Sequence, residues 1–232
     1  LIGRENLDPG LVLGLAILGA APPIMSSPAV AIIYGFEPSL IIASVLSITA
    51  LSPFIAPPLV DALAGKAVPL DSSVLMLRLV FFVGGGLITA LILRKLLGAT
   101  RISGMKAQLD GFGVVMYFIF AVAAMDGVTE AAFREPKTVA LFIGVAMVIA
   151  AIGIVMGIVL LRFADEPERM ILGYGAGQRN MGLLVAALGA GVPPTTFLFF
   201  ALAQFPIYFM PWLLTPLAKR IKARQLAASA RS

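Results

Sequence analysis

The stretch "ILGYGAGQRNMGLLVAALGA", residues 171–190, sets Gly173, Gly175 and Gly177 ahead of Gln178, Arg179 and Asn180 inside an otherwise apolar run. Clustered glycines let a backbone leave the helical path, so the sequence predicts a helix interrupted near its middle. A permanent cation follows the interruption directly. At the centre of a bilayer it costs about 2.5 to 3.5 kcal/mol on insertion scales, and the apolar parts of the spans drawn below hold no Asp or Glu to offset it. Two readings of Arg179 are open: it snorkels or satisfies carbonyls of the broken helix, or it holds an anionic ligand or stands in for a bound cation.

The bilayer is implied by composition. Of 232 residues, 60% are hydrophobic and only 12% charged, with mean hydropathy +1.02, outside the balance of a soluble domain. Apolar runs of about 20 residues separated by short charged clusters read as membrane spans. The chain has no cysteine and no histidine, which excludes disulfides and thiolate metal sites and removes the commonest proton relay. The net charge of +5 lies mostly in segments flanking spans, which is topological information rather than a nucleic-acid footprint. "LIGRENLDPG" opens without Met or a signal-peptide pattern, so further sequence upstream is expected.

Seven spans can be drawn, at about 11–34, 39–59, 74–93, 112–125, 139–161, 170–188 and 195–217. The first is interrupted by "APPIMSSP", and the second ends in "SPFIAPPLV". Arg94, Lys95, Arg101 and Lys106 form one basic cluster and Lys219, Arg220, Lys222 and Arg224 another. Both fall on one side under this count, and the positive-inside rule makes that side cytoplasmic. A multi-pass protein of the cell (inner) membrane with a cytoplasmic C-terminus follows.

An internal echo is also present. The first span carries Pro22, Pro23 and Pro28 and the sixth carries the glycine cluster, and each is followed by a span that ends in prolines. The first runs from outside to inside and the sixth from inside to outside, so the two units are inverted. Inverted repeats with discontinuous helices near the midplane mark many secondary transporters. Residues 1–66 are then a remnant of the first repeat and residues 67–218 the second, with its broken helix at about 170–188; residues 219–232 form a basic cytoplasmic tail.

Other polar residues in the spans have ordinary explanations beside functional ones. Ser44, Ser47, Thr49 and Ser52 lie in the second span, where hydroxyls commonly bond backbone or a neighbouring helix. Gln204 near the middle of the last span suits interhelical bonding or substrate contact. Arg78 is expected to reach the outer interface. "GYGAGQ" lacks the spacing and the soluble strand of a dinucleotide fingerprint.

These residues resemble the bile acid:sodium symporter family of ten-helix secondary transporters. "GAGQRNMGLLVAAL" looks like the Glu-x-Gly-x-Gln-Asn segment of its ninth helix, and "GLAILGAAPPIMSSPAVAIIYG" with "SVLSITALSPFIAPPLV" is similar to its fourth and fifth. The resemblance covers essentially the whole chain and implies an all-α inverted-repeat fold with two crossing broken helices, about seven helices being present and the first three absent. It implies sodium sites formed by the broken helices and a fifth-helix Ser/Thr pair, with an organic anion beside them. Thr49 and Asn180 match the family pattern. Gly175 stands where the family has a sodium-binding glutamate, Arg179 where it has glutamine, and Pro28 and Ala29 where it has serine and asparagine.

The departures remove sodium ligands and add a fixed cation. The expectation is a carrier of small organic anions without the usual sodium sites, its substrate held by Arg179, Asn180, Gln178 and Gln204; Thr49, Ser26, Ser27 and Ser47 are the candidates for any remaining ion. No cofactor other than Na+ is implied, and the partners are the anion and the lipid bilayer. A metalloid exporter of related fold would resemble proteins using a membrane cysteine, absent here. An intramembrane enzyme would need a nucleophile, acid or base in the spans, so no catalysis is expected. A non-transporting or truncated membrane subunit is the remaining alternative.

Overall fold

The computed structural model describes residues 8–65 and 71–229, with the side chains of 228 and 229 left aside. Lys66 and the boundary drawn between residues 66 and 67 lie outside that description. Asp8 caps α1 (Pro9–Ala20), its carboxylate accepting from the Leu11 N–H at 3.0 Å. The helix stops because Pro22 and Pro23 offer no N–H and push the preceding residue out of helical conformation; Ala21 is extended, at φ −63° and ψ 143°. The chain re-enters a short α2 (Ser27–Ile33) and reverses at Gly35, whose φ of 71° suits a residue without Cβ.

There follow α3 (Ser39–Ala64), α4 (Ser72–Leu97), α5 (Ala99–Gly104), α6 (Lys106–Ala124), α7 (Val128–Arg134) and α8 (Pro136–Leu160). A second broken unit, α9 (Glu166–Gly177) and α10 (Met181–Leu188), leads through a tight turn at Gly189–Gly191 into α11 (Pro194–Leu202) and α12 (Phe205–Ser229). Among the described residues, five helical segments are long and apolar enough to cross a membrane: α3, α4, α6 continued by α7, α8, and α11 with α12. The chain is an all-helical, multi-pass membrane protein. Together with the two broken units, these segments occupy the places of the seven spans expected.

Three local expectations change. First, α3 does not end at its prolines but runs through Pro53, Pro57 and Pro58 to Ala64. Pro53 has no N–H to give the Thr49 carbonyl, and the Ser52 hydroxyl donates to that carbonyl at 2.7 Å instead. Secondly, Gly173, Gly175 and Gly177 do not break α9, which stays helical through Gly177. Gly173 and Gly177 are spaced like Gly153 and Gly157 of α8, and the two pairs interlock. A Cβ on Gly153 would lie 2.8 Å from Gly177 Cα, and one on Gly157 2.7 Å from Gly173 Cα. These glycines serve close helix packing. Thirdly, the last span, read as continuous, is interrupted between α11 and α12. Pro206 cannot bond the Leu202 carbonyl, and Gln204 N and Ile207 N make tighter i→i−3 bonds to Ala201 and Gln204.

Two apolar cores flank the middle of the molecule. One joins α1, the later part of α3, the first half of α8, α10 and α11; the other joins α2, the start of α3, the second half of α8, α9 and α12. Each broken unit contributes one half-helix to each core. Packed against α3 and α10, α4 buries little of its surface, and so does α6. Within α4 only Leu75 and Leu79 are buried, and within α6 only Ala124.

Side chains fasten the bundle at both ends. At one end Thr196 Oγ1 donates to the Gly10 carbonyl at 2.6 Å, and Arg78 donates to the Ala187 and Leu188 carbonyls at 3.0 Å. Arg78 thus closes the carboxyl end of α10. At the opposite end Lys222 Nζ donates to the Gly35 carbonyl at 2.6 Å, and Arg224 pairs with Glu166 at 3.0 Å.

Candidate functional site

The two interruptions meet. Between α1 and α2 the chain is extended around Pro23, and between α9 and α10 around Arg179, and these residues pair as a short antiparallel bridge. The Ile24 N–H donates to the Gln178 carbonyl at 2.9 Å, and the Asn180 N–H donates to the Pro22 carbonyl at 2.8 Å. Breaking two helices inside a membrane frees backbone groups that must find partners. Here each break supplies partners for the other.

Successive side chains along an extended segment point to opposite faces, which separates Gln178 from Arg179. Gln178 turns inward and is only 1% exposed. Its Nε2, the Ser27 hydroxyl and the Tyr174 hydroxyl are buried without a protein partner among the described residues. Arg179 turns the other way. One of its guanidinium N–H groups donates to the Ala21 carbonyl at 3.2 Å, closing the carboxyl end of α1. The ion pairs among the described residues, Arg134–Glu130 and Arg224–Glu166, do not include it. The carbonyl it meets belongs to the other broken helix rather than to its own; one bond of a five-donor group is thereby accounted for, and the group also borders a hollow.

That hollow has a volume of about 270 Å³ and lies between the crossing, α6 and the start of α12. Arg179, Asn180, Ser26 and Gln204 contribute its polar lining. Asn180 precedes α10, whose N-terminus has no side-chain cap, and Met181 and Gly182 of its first turn also line the space. First-turn N–H groups lack helical acceptors and carry the positive end of the helix dipole. Gln204 Nε2 donates to the Phe200 carbonyl at 3.1 Å, the carbonyl that the break between α11 and α12 releases. The remaining wall is apolar and aromatic: Ile24, Met25, Ile207, Tyr117, Phe120 and Tyr208.

Of the expected substrate residues, three gather here and Gln178 lies behind the crossing. The expected ion residues are more scattered. Ser26 borders the hollow, Ser27 is buried, and Thr49 approaches the first break only through Met25, its Oγ1 3.9 Å from that sulfur. Ser47 is exposed on α3. Among the described residues no group of His, Cys, Asp or Glu could hold a metal ion. At Gly175 a Cβ would lie 2.9 Å from Ile41 Cδ1 and 3.9 Å from Ser27 Oγ, so an apolar methyl from α3 fills the place of a side chain there. The aromatic residues, to which the sequence reading assigned only packing or lipid contact, are the contribution it missed. Tyr117 and Phe120 share a helix face, but nothing in the sequence pairs that face with Tyr208 of α12.

No family model matches the chain, and no curated protein matches it.

Proposed function

We propose that this protein is a secondary transporter of small organic anions that works without the sodium sites of the family it resembles. The observation that carries the reading is Arg179, a cation placed at the crossing of two broken helices, beside a hollow and, among the described residues, without a carboxylate partner. An anion entering the hollow would meet the guanidinium, the Asn180 amide and the N-terminus of α10. A crossing of two broken helices supports the reading, because inverted-repeat carriers build their sites at such crossings. Ile41 over Gly175, and the scatter of Thr49, Ser47, Ser26 and Ser27, support independence from sodium. The basic end of the bundle, with Lys222 and Arg224, faces the cytoplasm by the positive-inside rule.

Uptake of radiolabelled phenylacetate and cholate into proteoliposomes, under inward sodium or potassium gradients, tests the reading. Uptake equal in the two salts and lost in Arg179→Ala is expected. Equal uptake by Arg179→Ala and wild type would overturn the role of the arginine, and a requirement for sodium would overturn the ion-independent mechanism.

A further inference from the structure

The hollow also restricts the kind of anion, an inference that rests on the transport reading above. Three features act together: charge, aromatic lining and size. Among the described residues, Arg179 is the one charged residue lining the space. A single negative charge is therefore balanced, whereas a second would lie against rings and methyl groups without a counterion, at a high desolvation cost.

The lining is rich in rings. Phe120 stands edge-to-face on Phe200 with centroids 6.0 Å apart, and it sits close over Gly182, where a Cβ would come within 3.0 Å of Phe120 Cζ. Phe120 is thus positioned by contacts on two sides. Tyr117 lies about one turn before it on α6, and Tyr208 faces the same space from α12; these two tyrosines are 64% and 68% exposed. Aromatic rings gain from offset or edge-on contact with another ring, and a flat apolar body between α6 and α12 would cover them. The size limit is the volume of about 270 Å³, just below the range of about 300 to 1,000 Å³ typical of sites for drug-sized ligands.

We infer that the hollow formed by Arg179, Asn180 and the rings of Tyr117, Phe120 and Tyr208 selects a small aromatic monoanion, a carboxylate or sulfonate on one ring system. A dicarboxylate is disfavoured by charge and a steroid acid by size.

Isothermal titration calorimetry of the protein in lipid nanodiscs, with phenylacetate, cyclohexylacetate, succinate and cholate, tests this. Phenylacetate is expected to bind about three- to tenfold more tightly than cyclohexylacetate, which has its charge and bulk without the ring electrons. Succinate and cholate are expected to bind more weakly than either. In Tyr117→Leu/Tyr208→Leu, whose folding is checked by its elution as a single species, the preference for phenylacetate over cyclohexylacetate should shrink to what Phe120 alone supports. Succinate or cholate binding as tightly as phenylacetate, with all binding lost in Arg179→Ala, would overturn the selectivity and leave the anion site standing. Equal affinity of wild type for the two acetates would overturn the aromatic requirement alone. Absence of Arg179-dependent binding for all four anions would overturn the inference together with the reading beneath it.

Discussion

Arg179 donates to the Ala21 carbonyl at 3.2 Å, so the side chain that follows one helix break closes the carboxyl end of the helix before the other. Removing it has opposing effects on stability. The Ala21 carbonyl loses a partner, a loss of about 1 to 3 kcal/mol for a buried acceptor, while the cost of holding a cation at that depth disappears. Arg179→Ala is therefore expected to change the thermal unfolding midpoint in nanodiscs only slightly while abolishing anion binding. Arg179→Lys, with a charge but no planar fork, should retain weakened binding. A large loss of stability in Arg179→Ala would mean that the residue is chiefly structural.

Each second half-helix is closed by a basic side chain from another span, Lys222 on the Gly35 carbonyl after α2 and Arg78 on the Ala187 and Leu188 carbonyls of α10. Such a cation contributes about 0.3 to 1 kcal/mol through the helix dipole and its hydrogen bonds. The two sites lie at opposite ends of the bundle, so their effects should add. Arg78→Gln and Lys222→Gln are expected to lower the unfolding midpoint modestly, and the double variant by the sum of the two. A double variant no worse than either single one would show that the ends are not independent.

Interlocking of α8 and α9 makes a contrast within one helix. Gly153→Ala would force a methyl against the backbone of α9 at 2.8 Å, and overpacking of this kind typically costs about 1 to 3 kcal/mol. Gly144 has nothing within 4 Å of its place for a Cβ. Gly144→Ala should be neutral or stabilising by up to about 1 kcal/mol through helix propensity. Thermal unfolding of the two variants checks this; equal effects would argue against the close packing.

The coarse fold was legible because spans and charge clusters are local features of composition. "APPIMSSP" and the segment around Arg179 announced two breaks. What was not legible depended on partners distant in sequence. The glycines of α9 read as a break because a single span does not display Gly153 and Gly157 packed against them. The end drawn at residue 59 fell short of Ala64, and the hydroxyl of Ser52 that compensates Pro53 is recognisable only once Thr49 is known to need a donor. Gln178 and Arg179 read as one binding pair, yet an extended backbone sends neighbours to opposite faces. The ring-lined wall joins residues 117, 120 and 208 across separate spans, and a one-dimensional pattern carries no such pairing.

Gly175 and Ile41 offer the sharpest test of the proposed independence from sodium. A Cβ at Gly175 would meet Ile41 Cδ1 at 2.9 Å, so Gly175→Ala should destabilise the protein, and Ile41→Ala, although it removes buried apolar volume on its own, should relieve part of that clash. The two substitutions are expected to couple, the double variant being more stable than the sum of the single effects predicts. Replacing the pair by Gly175→Glu/Ile41→Ala opens room for a carboxylate near the buried Ser27 hydroxyl, the position at which the resemblance implies a sodium ligand. That variant is expected to unfold at a higher temperature in sodium chloride than in potassium chloride, and wild type to show no difference. Sodium-specific stabilisation of wild type would show that the chain still binds the ion through other groups. Coupling between the alanine variants without any sodium effect in the glutamate variant would mean that more of the ligand set than the carboxylate has been lost.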